Sequence, residues 1–87
     1  MASIGKQITA TALVKSGGTK LRAIVVSSTS SGTYALYDNV KGDNSGELKV
    51  NTITPAAGSW IDYKDLYFKD GCSIVIANTL SVTVIFE

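Results

Sequence analysis

Hydrophobic and polar positions alternate along most of this chain with a period of two. Leu80, Val82, Val84 and Phe86 share one side, with Ser81, Thr83 and Glu87 on the other. Leu48, Val50 and Thr52 alternate in the same way against Glu47, Lys49 and Asn51. Successive side chains of a strand point to opposite faces, so this repeat predicts strands with one covered face. Residues 21–26, Leu-Arg-Ala-Ile-Val-Val, become apolar on both faces, which predicts a central strand covered on both sides. No window of eleven or more residues keeps the i, i+3, i+4 apolar spacing of a long helix.

Turn signals interrupt the pattern at short intervals: Ser16-Gly17-Gly18, Ser30-Ser31-Gly32, the polar stretch from Asp38 to Glu47, Pro55 to Ser59, Asp70-Gly71 and Asn78-Thr79. The runs between them predict strands over 8–14, 20–28, 33–38, 47–53, 59–63, 65–69, 72–77 and 80–86. Seven or eight short strands at this spacing predict an all-β domain, either two packed sheets or a small barrel. Asp70-Gly71, between Leu66-Tyr67-Phe68 and Cys72 to Ile76, predicts a tight hairpin with a primed turn. Lys20, Lys49, Lys64 and Lys69 read as guards against edge-to-edge strand pairing.

Composition narrows the functional classes. A chain of 87 residues forms one domain and buries only about 60–65% of its unfolded surface. Cys72 is the single cysteine, so no intramolecular disulfide compensates, and extra stability must come from close packing or from association with other subunits. Lys and Arg are scattered and the net charge is +1, without the basic stripe of a nucleic-acid binder. No segment approaches the ~20 apolar residues of a membrane span. The first seven residues lack the apolar centre of a signal peptide, and one free thiol suits synthesis in a reducing cytoplasm.

Chemistry is sparse. The chain contains no histidine, which removes the commonest general base and metal ligand. Asp62 and Asp65, three apart on a strand, would point to opposite faces. Cys72 opens an apolar strand with no histidine or cation cluster to activate it, and reads as a small packing residue. Asp38, Asp43 and Glu47, with Asn39 and Asn44, could offer oxygens to a cation, but their spacing is not that of an EF-hand. The stretch reads instead as a solvated turn with a strand ending at Tyr37-Asp38 and another starting at Glu47. Its Lys41-Gly42-Asp43 matches an integrin-type tripeptide of the kind that arises by chance in polar loops. The expectation is a non-enzyme with no catalytic residue, cofactor or metal.

The aromatic residues are the remaining candidates. Strict alternation would put Trp60, Asp62, Lys64, Leu66 and Phe68 on one face and Ile61, Tyr63, Asp65, Tyr67 and Lys69 on the other. Neither face is clean, so either a bulge near Lys64-Asp65 resets the register or some aromatics are exposed to meet another molecule. Core and cross-strand packing is the favoured reading of the aromatics; as the functional alternative, Tyr34, Tyr37, Trp60, Tyr63 and Tyr67 form the candidate interaction surface.

The order of motifs resembles a known group. Gly18 to Val26 is followed by Ser31-Gly32-Thr33-Tyr34-Ala35-Leu36-Tyr37-Asp38-Asn39, then Asn51 to Gly58, Leu66-Tyr67-Phe68-Lys69-Asp70-Gly71 and the closing Leu80 to Phe86. Over residues 16–87 this resembles short virion proteins of tailed bacteriophages, through strand and turn patterns rather than catalytic signatures. The resemblance implies a compact antiparallel β-sandwich of the jelly-roll type. It implies a homotrimer on the capsid exterior that decorates or cements the head by binding the major capsid protein, with no nucleic-acid or membrane partner. Residues 1–15 would be an N-terminal arm or first strand, and 16–87 the domain. The alternative is a receptor- or glycan-binding module of a tail fibre or spike.

Overall fold

A computed structural model describes residues 3–87. The described chain is all-β, a single antiparallel sheet of six strands: β1 (Ile4–Ile8), β2 (Ala12–Ser16), β3 (Thr19–Asp38), β4 (Glu47–Ile53), β5 (Trp60–Phe68) and β6 (Gly71–Phe86). Two of these are long. β3 runs for 20 residues and β6 for 16, and they pair with each other from Leu21–Phe86 at one end to Asp38–Cys72 at the other. The short strands flank this ribbon in two sets. Beside the first half of β3 the order is β5-β3-β6-β1, and beside its second half it is β4-β3-β6-β2.

The strand count is therefore six rather than seven or eight. Three expected breaks, at Ser30-Ser31, Lys64 and Asn78-Thr79, are irregularities inside continuous strands. At Ser30-Ser31 and Asn78-Thr79 the ladder slips, with both serines opposite Thr79, while Ser31 and Asn78 take left-handed φ values of 55° and 62°. An extra residue bends and twists a strand without ending it. Asn78 Nδ2 donates to Ser31 O at 2.9 Å, the Thr29 hydroxyl accepts from Gly32 N at 2.9 Å, and these bonds fix the bend. The expected strand over 8–14 is instead two strands, parted by a corner at Thr9-Ala10-Thr11. Both pair with β6, so the chain from Ile4 onward belongs to the sheet.

The Asp70-Gly71 hairpin is also corrected. β5 pairs with β3, whereas β6 pairs with β3, β2 and β1. The dipeptide turns the chain from one set of strands into the other, and Gly71 lacks the positive φ of a primed turn. Its strand partner lies more than thirty residues back in sequence, beyond the reach of a local signal.

Both halves of the sheet feed one core. Leu21, Ile24, Val26, Phe68, Val82 and Val84 from the first half join Tyr34, Leu36, Cys72 and Ile74 from the second. The Tyr34 hydroxyl, on the second half, lies 2.5 Å from that of Tyr63, on β5 of the first half. Burial raises the pKa of both phenols above the ordinary value, most strongly for Tyr34, and the hydrogen bond raises Tyr34 further. Removing one hydroxyl orphans the other. Tyr63→Phe is expected to cost about 1–3 kcal/mol, because Tyr34 is fully buried, and Tyr34→Phe somewhat less. The double variant should fall well short of the sum, and a double-mutant cycle by urea unfolding measures this. Additive losses would show that the pair does not couple the halves.

Candidate interaction surface

The structure separates the five candidate aromatics. β5 carries its inward residues at Ile61, Tyr63, Leu66 and Phe68, a spacing of two, three and two. The step of three falls on the irregularity where Tyr63, Lys64 and Asp65 stand opposite Arg22 alone. Lys64 and Asp65 adopt φ values of 52° and 61° there, and the Asp62 carboxylate accepts from Lys64 N at 2.8 Å. Both expectations for this strand hold: a bulge resets the register, and aromatics remain exposed. Trp60 is 65% exposed and Tyr67 52%.

Tyr34, by contrast, is fully buried and is removed from the candidate surface. Position 34 points inward with Leu36, across from Ile53 and Ile76. Tyr63 is half-buried against the core and bonded to Tyr34. Tyr37 is half-buried on the second half of the sheet, between Leu48 and Ser73 in register.

Trp60 begins a cross-strand row. Val25, Thr83 and Gln7 lie beside it in register on β3, β6 and β1. The next row towards the chain ends is Asp62, Ala23, Ile85 and Gly5. The Gln7 amide donates to the Ser81 hydroxyl at 3.2 Å. These two rows carry one aromatic, one neutral amide and small or β-branched residues, with Asp62 as the one carboxylate; Trp60, Asp62, Gly5 and Gln7 are exposed, Val25, Thr83 and Ile85 half-buried, and Ala23 covered. Charge returns at the margin, where the Arg22 guanidinium pairs with Glu87 and lies 3.6 Å from Asp65. The hydrogen bond from Arg22 holds the Glu87 carboxyl below its ordinary pKa against its desolvation.

Tyr67 belongs to a separate place. It covers Gly18, where a Cβ would lie 2.8 Å from the phenol oxygen. With Lys15, Lys20 and Glu87 it lines an open cleft of about 460 Å³. Lys15 Nζ donates a hydrogen bond to Gly18 O at 3.1 Å.

The polar stretch after Tyr37 proves to be an internal scaffold. Its strand limits fall where expected, with β3 ending at Asp38 and β4 starting at Glu47. The solvated reading fails for the first two residues, since Asp38 and Asn39 are buried. Asp38 accepts three backbone N–H bonds from the β5–β6 turn: Lys69 at 3.0 Å, Asp70 at 2.8 Å and Gly71 at 3.2 Å. Desolvation pushes this carboxyl upward, but the three donors together with Lys49 outweigh it and leave the pKa lowered. Asn39 Oδ1 accepts from Lys41 N at 2.8 Å and Gly42 N at 3.1 Å, and lies 2.7 Å from the Ser73 hydroxyl. Asn39 Nδ2 donates to the carbonyls of Asp43 and Ser45.

These bonds draw Lys41-Gly42-Asp43 down onto the sheet. Gly42, at φ 70°, lies so near β2 that a Cβ would stand 2.8 Å from Leu13 N. Asp43 Oδ1 is occupied by the Ser45 N–H and hydroxyl. Among the described residues no three Cys, Asp or Glu side chains gather as a metal-holding group. Cys72 is buried at the core edge, and burial with the nearby Asp38 charge pushes its thiol up to about 12. Such a thiol is protonated at neutral pH, as the packing reading requires.

No family model matches the chain, and no curated protein or solved structure matches it either.

Proposed function

We propose that the chain is a structural virion protein of a tailed bacteriophage, a capsid decoration or cement protein that binds the major capsid protein and stabilises the assembled head. The bent six-stranded sheet reads as a compact sandwich of the jelly-roll type. The protein acts as a homotrimer on the outside of the capsid and performs no catalysis.

One observation carries this reading: the molecule's polar chemistry is turned inward onto its own backbone, while Trp60 is turned out. Asp38, Asn39 and Asp43 serve loop geometry, and the thiol is sealed. Outside lies a nearly neutral face that starts at a largely exposed tryptophan. Aromatic side chains with few charged neighbours suit the centre of a protein–protein contact. A small domain of thin stability also gains by mass action when it binds itself and a shell. Cyclic symmetry then places equivalent patches on equivalent capsid subunits, so weak contacts add by avidity.

The Trp60 face is assigned to contact between copies. Light scattering after size exclusion should give three chain masses at tens of micromolar. Trp60→Lys should shift that mass towards one chain while leaving the circular dichroism spectrum unchanged. A strict monomer of the unaltered protein would count against the trimer.

The exposure of Trp60 also favours a second reading, a receptor- or glycan-binding module of a tail fibre or spike. Aromatic faces are amphipathic enough to meet sugars as well as proteins. Under it, Trp60→Ala abolishes attachment to host cells and leaves head stability untouched.

A further inference from the structure

Four separate segments meet at the bend of the long ribbon. The β1–β2 corner, Thr9-Ala10-Thr11, lies beside the bend of β6, because Ile8 pairs with Val82 and Ala12 with Ile74. The β4–β5 connection, residues 54–59, lies in the same way beside the bend of β3. Ile53 pairs with Tyr34 and Trp60 with Val25, and Gly58 N and Ser59 O bond to the backbone of Val26. The bends themselves, 27–33 of β3 and 77–81 of β6, pair with each other. One end of the molecule is thus built, in lateral order, from 54–59, 27–33, 77–81 and 9–11.

None of the eight Lys and Arg or seven Asp and Glu residues falls in any of these segments. The charge-free runs reach further, over 23–37 and 71–86. The surface there is hydroxyl, amide and methyl: Thr9, Thr11, Ser28, Ser30, Thr54, Ala56, Ala57, Asn78 and Thr79 are all exposed. The opposite end carries Lys15, Lys20, Lys41, Asp43, Glu47, Lys69, Asp70 and Glu87 on its turns and strand ends. Solvent-facing ends of a small domain ordinarily carry mixed charge for solubility. An end without any charge pays no charge-desolvation cost when covered, and it meets no like-charge repulsion from a neutral partner.

We infer that this charge-free end is the surface that docks onto the particle, against a neutral, hydroxyl- and amide-bearing protein surface repeated over the shell; the inference rests on the decoration reading above. Its size favours a repeated shell surface over a second copy of the chain. Four strand widths against a molecule with a shortest extent of 17 Å give an area of roughly 300 Å². A stable pairwise interface needs roughly 800 Å² per partner. A contact of this size holds only when several copies act together, which a symmetric oligomer on a symmetric shell provides. The charged end, with its bonded Asp38–Asn39 loop, then faces solvent.

The test uses phage heads assembled without this protein, and the purified protein. Ser28→Lys with Thr79→Lys places two charges on the charge-free end at exposed positions, and Lys41→Glu with Asp43→Lys alters the opposite end. Melting curves of both double variants are taken alongside to confirm folding, and Ser28→Glu serves as a single-site variant of the same end. The expected result is a loss of head binding of at least thirtyfold for the bend variants, and a change under about threefold for the loop variant. Raising salt from 0.1 to 0.5 M should alter wild-type binding by less than about threefold, because no charged contact is screened. Normal binding by the bend variants, or a collapse of binding in the loop variant or in salt, overturns the inference while leaving the decoration reading standing. Failure of the unaltered protein to bind the heads at all overturns both.

Discussion

Asp38→Ala is expected to lower the stability of the folded chain by about 3–4 kcal/mol, since three backbone N–H groups of the β5–β6 turn lose a charged acceptor together. A domain of 87 residues has only about 4–13 kcal/mol in total. The variant should therefore unfold at a far lower urea concentration, with an unchanged denaturant slope. Asp38→Asn keeps one acceptor oxygen and should lose roughly half as much. The pH dependence carries a sign. The folded-state pKa of Asp38 is lowered, so its contribution is fully present above the unfolded value of about 3.9 and disappears as pH falls through the lower folded value. Wild-type stability should thus fall steeply below about pH 4, and the Asp38→Asn variant should lose part of that slope. An alanine variant within 0.5 kcal/mol of wild type would show that the turn finds other partners.

The second large effect is expected at the bend. A Cβ at Gly32 would stand 2.3 Å from the Thr79 carbonyl and 2.6 Å from Leu80 Cβ. Neither can retreat without parting β3 from β6, because Thr79 sits in the ladder opposite Ser30 and Ser31. Gly32→Ala should cost about 2–4 kcal/mol, as an overpacked site with no flexible neighbour to yield. Gly17 provides the contrast: it has a φ of 81° with nothing near its Cβ position. Gly17→Ala should cost about 1 kcal/mol, the conformational penalty alone. Equilibrium unfolding of the two variants side by side reads the difference, and equal losses would mean that the bend is looser than described.

Some of this architecture was legible in the residues. Alternating and β-branched runs marked β3 to β6 and part of β2 but missed β1 (Ile4–Ile8), and β4 carries the limits its pattern predicted. The mixed faces of 60–69 called for either a bulge near Lys64-Asp65 or exposed aromatics, and the chain has both. Which aromatics faced outward could not be read until that bulge was placed, because one extra residue reverses every position beyond it. Tyr34 was misassigned because alternation gives a face but not which face is covered.

Pairing was the least legible part. Asp70-Gly71 has the composition of a hairpin turn, yet the strands on either side pair elsewhere. Ser30-Ser31-Gly32 and Asn78-Thr79 carry turn residues, yet the long ribbon runs through them. A turn signal reports a local left-handed or crowded backbone, and a bend inside a strand needs the same residues as an ending. Asp38 and Asn39 look like solvated loop residues because their partners, at 69–71 and 73, lie about thirty positions away. Their burial follows from unsatisfied backbone donors that another turn brings to them.

We propose that the chain binds and strengthens an assembled phage head. The most direct measurement of this proposal adds purified protein to phage heads assembled without it, and follows bound copies by cosedimentation and head integrity by thermal disruption. The account predicts saturable binding at a fixed number of symmetry-related positions and a raised disruption temperature. No binding at micromolar protein, or binding without any gain in head stability, would contradict it.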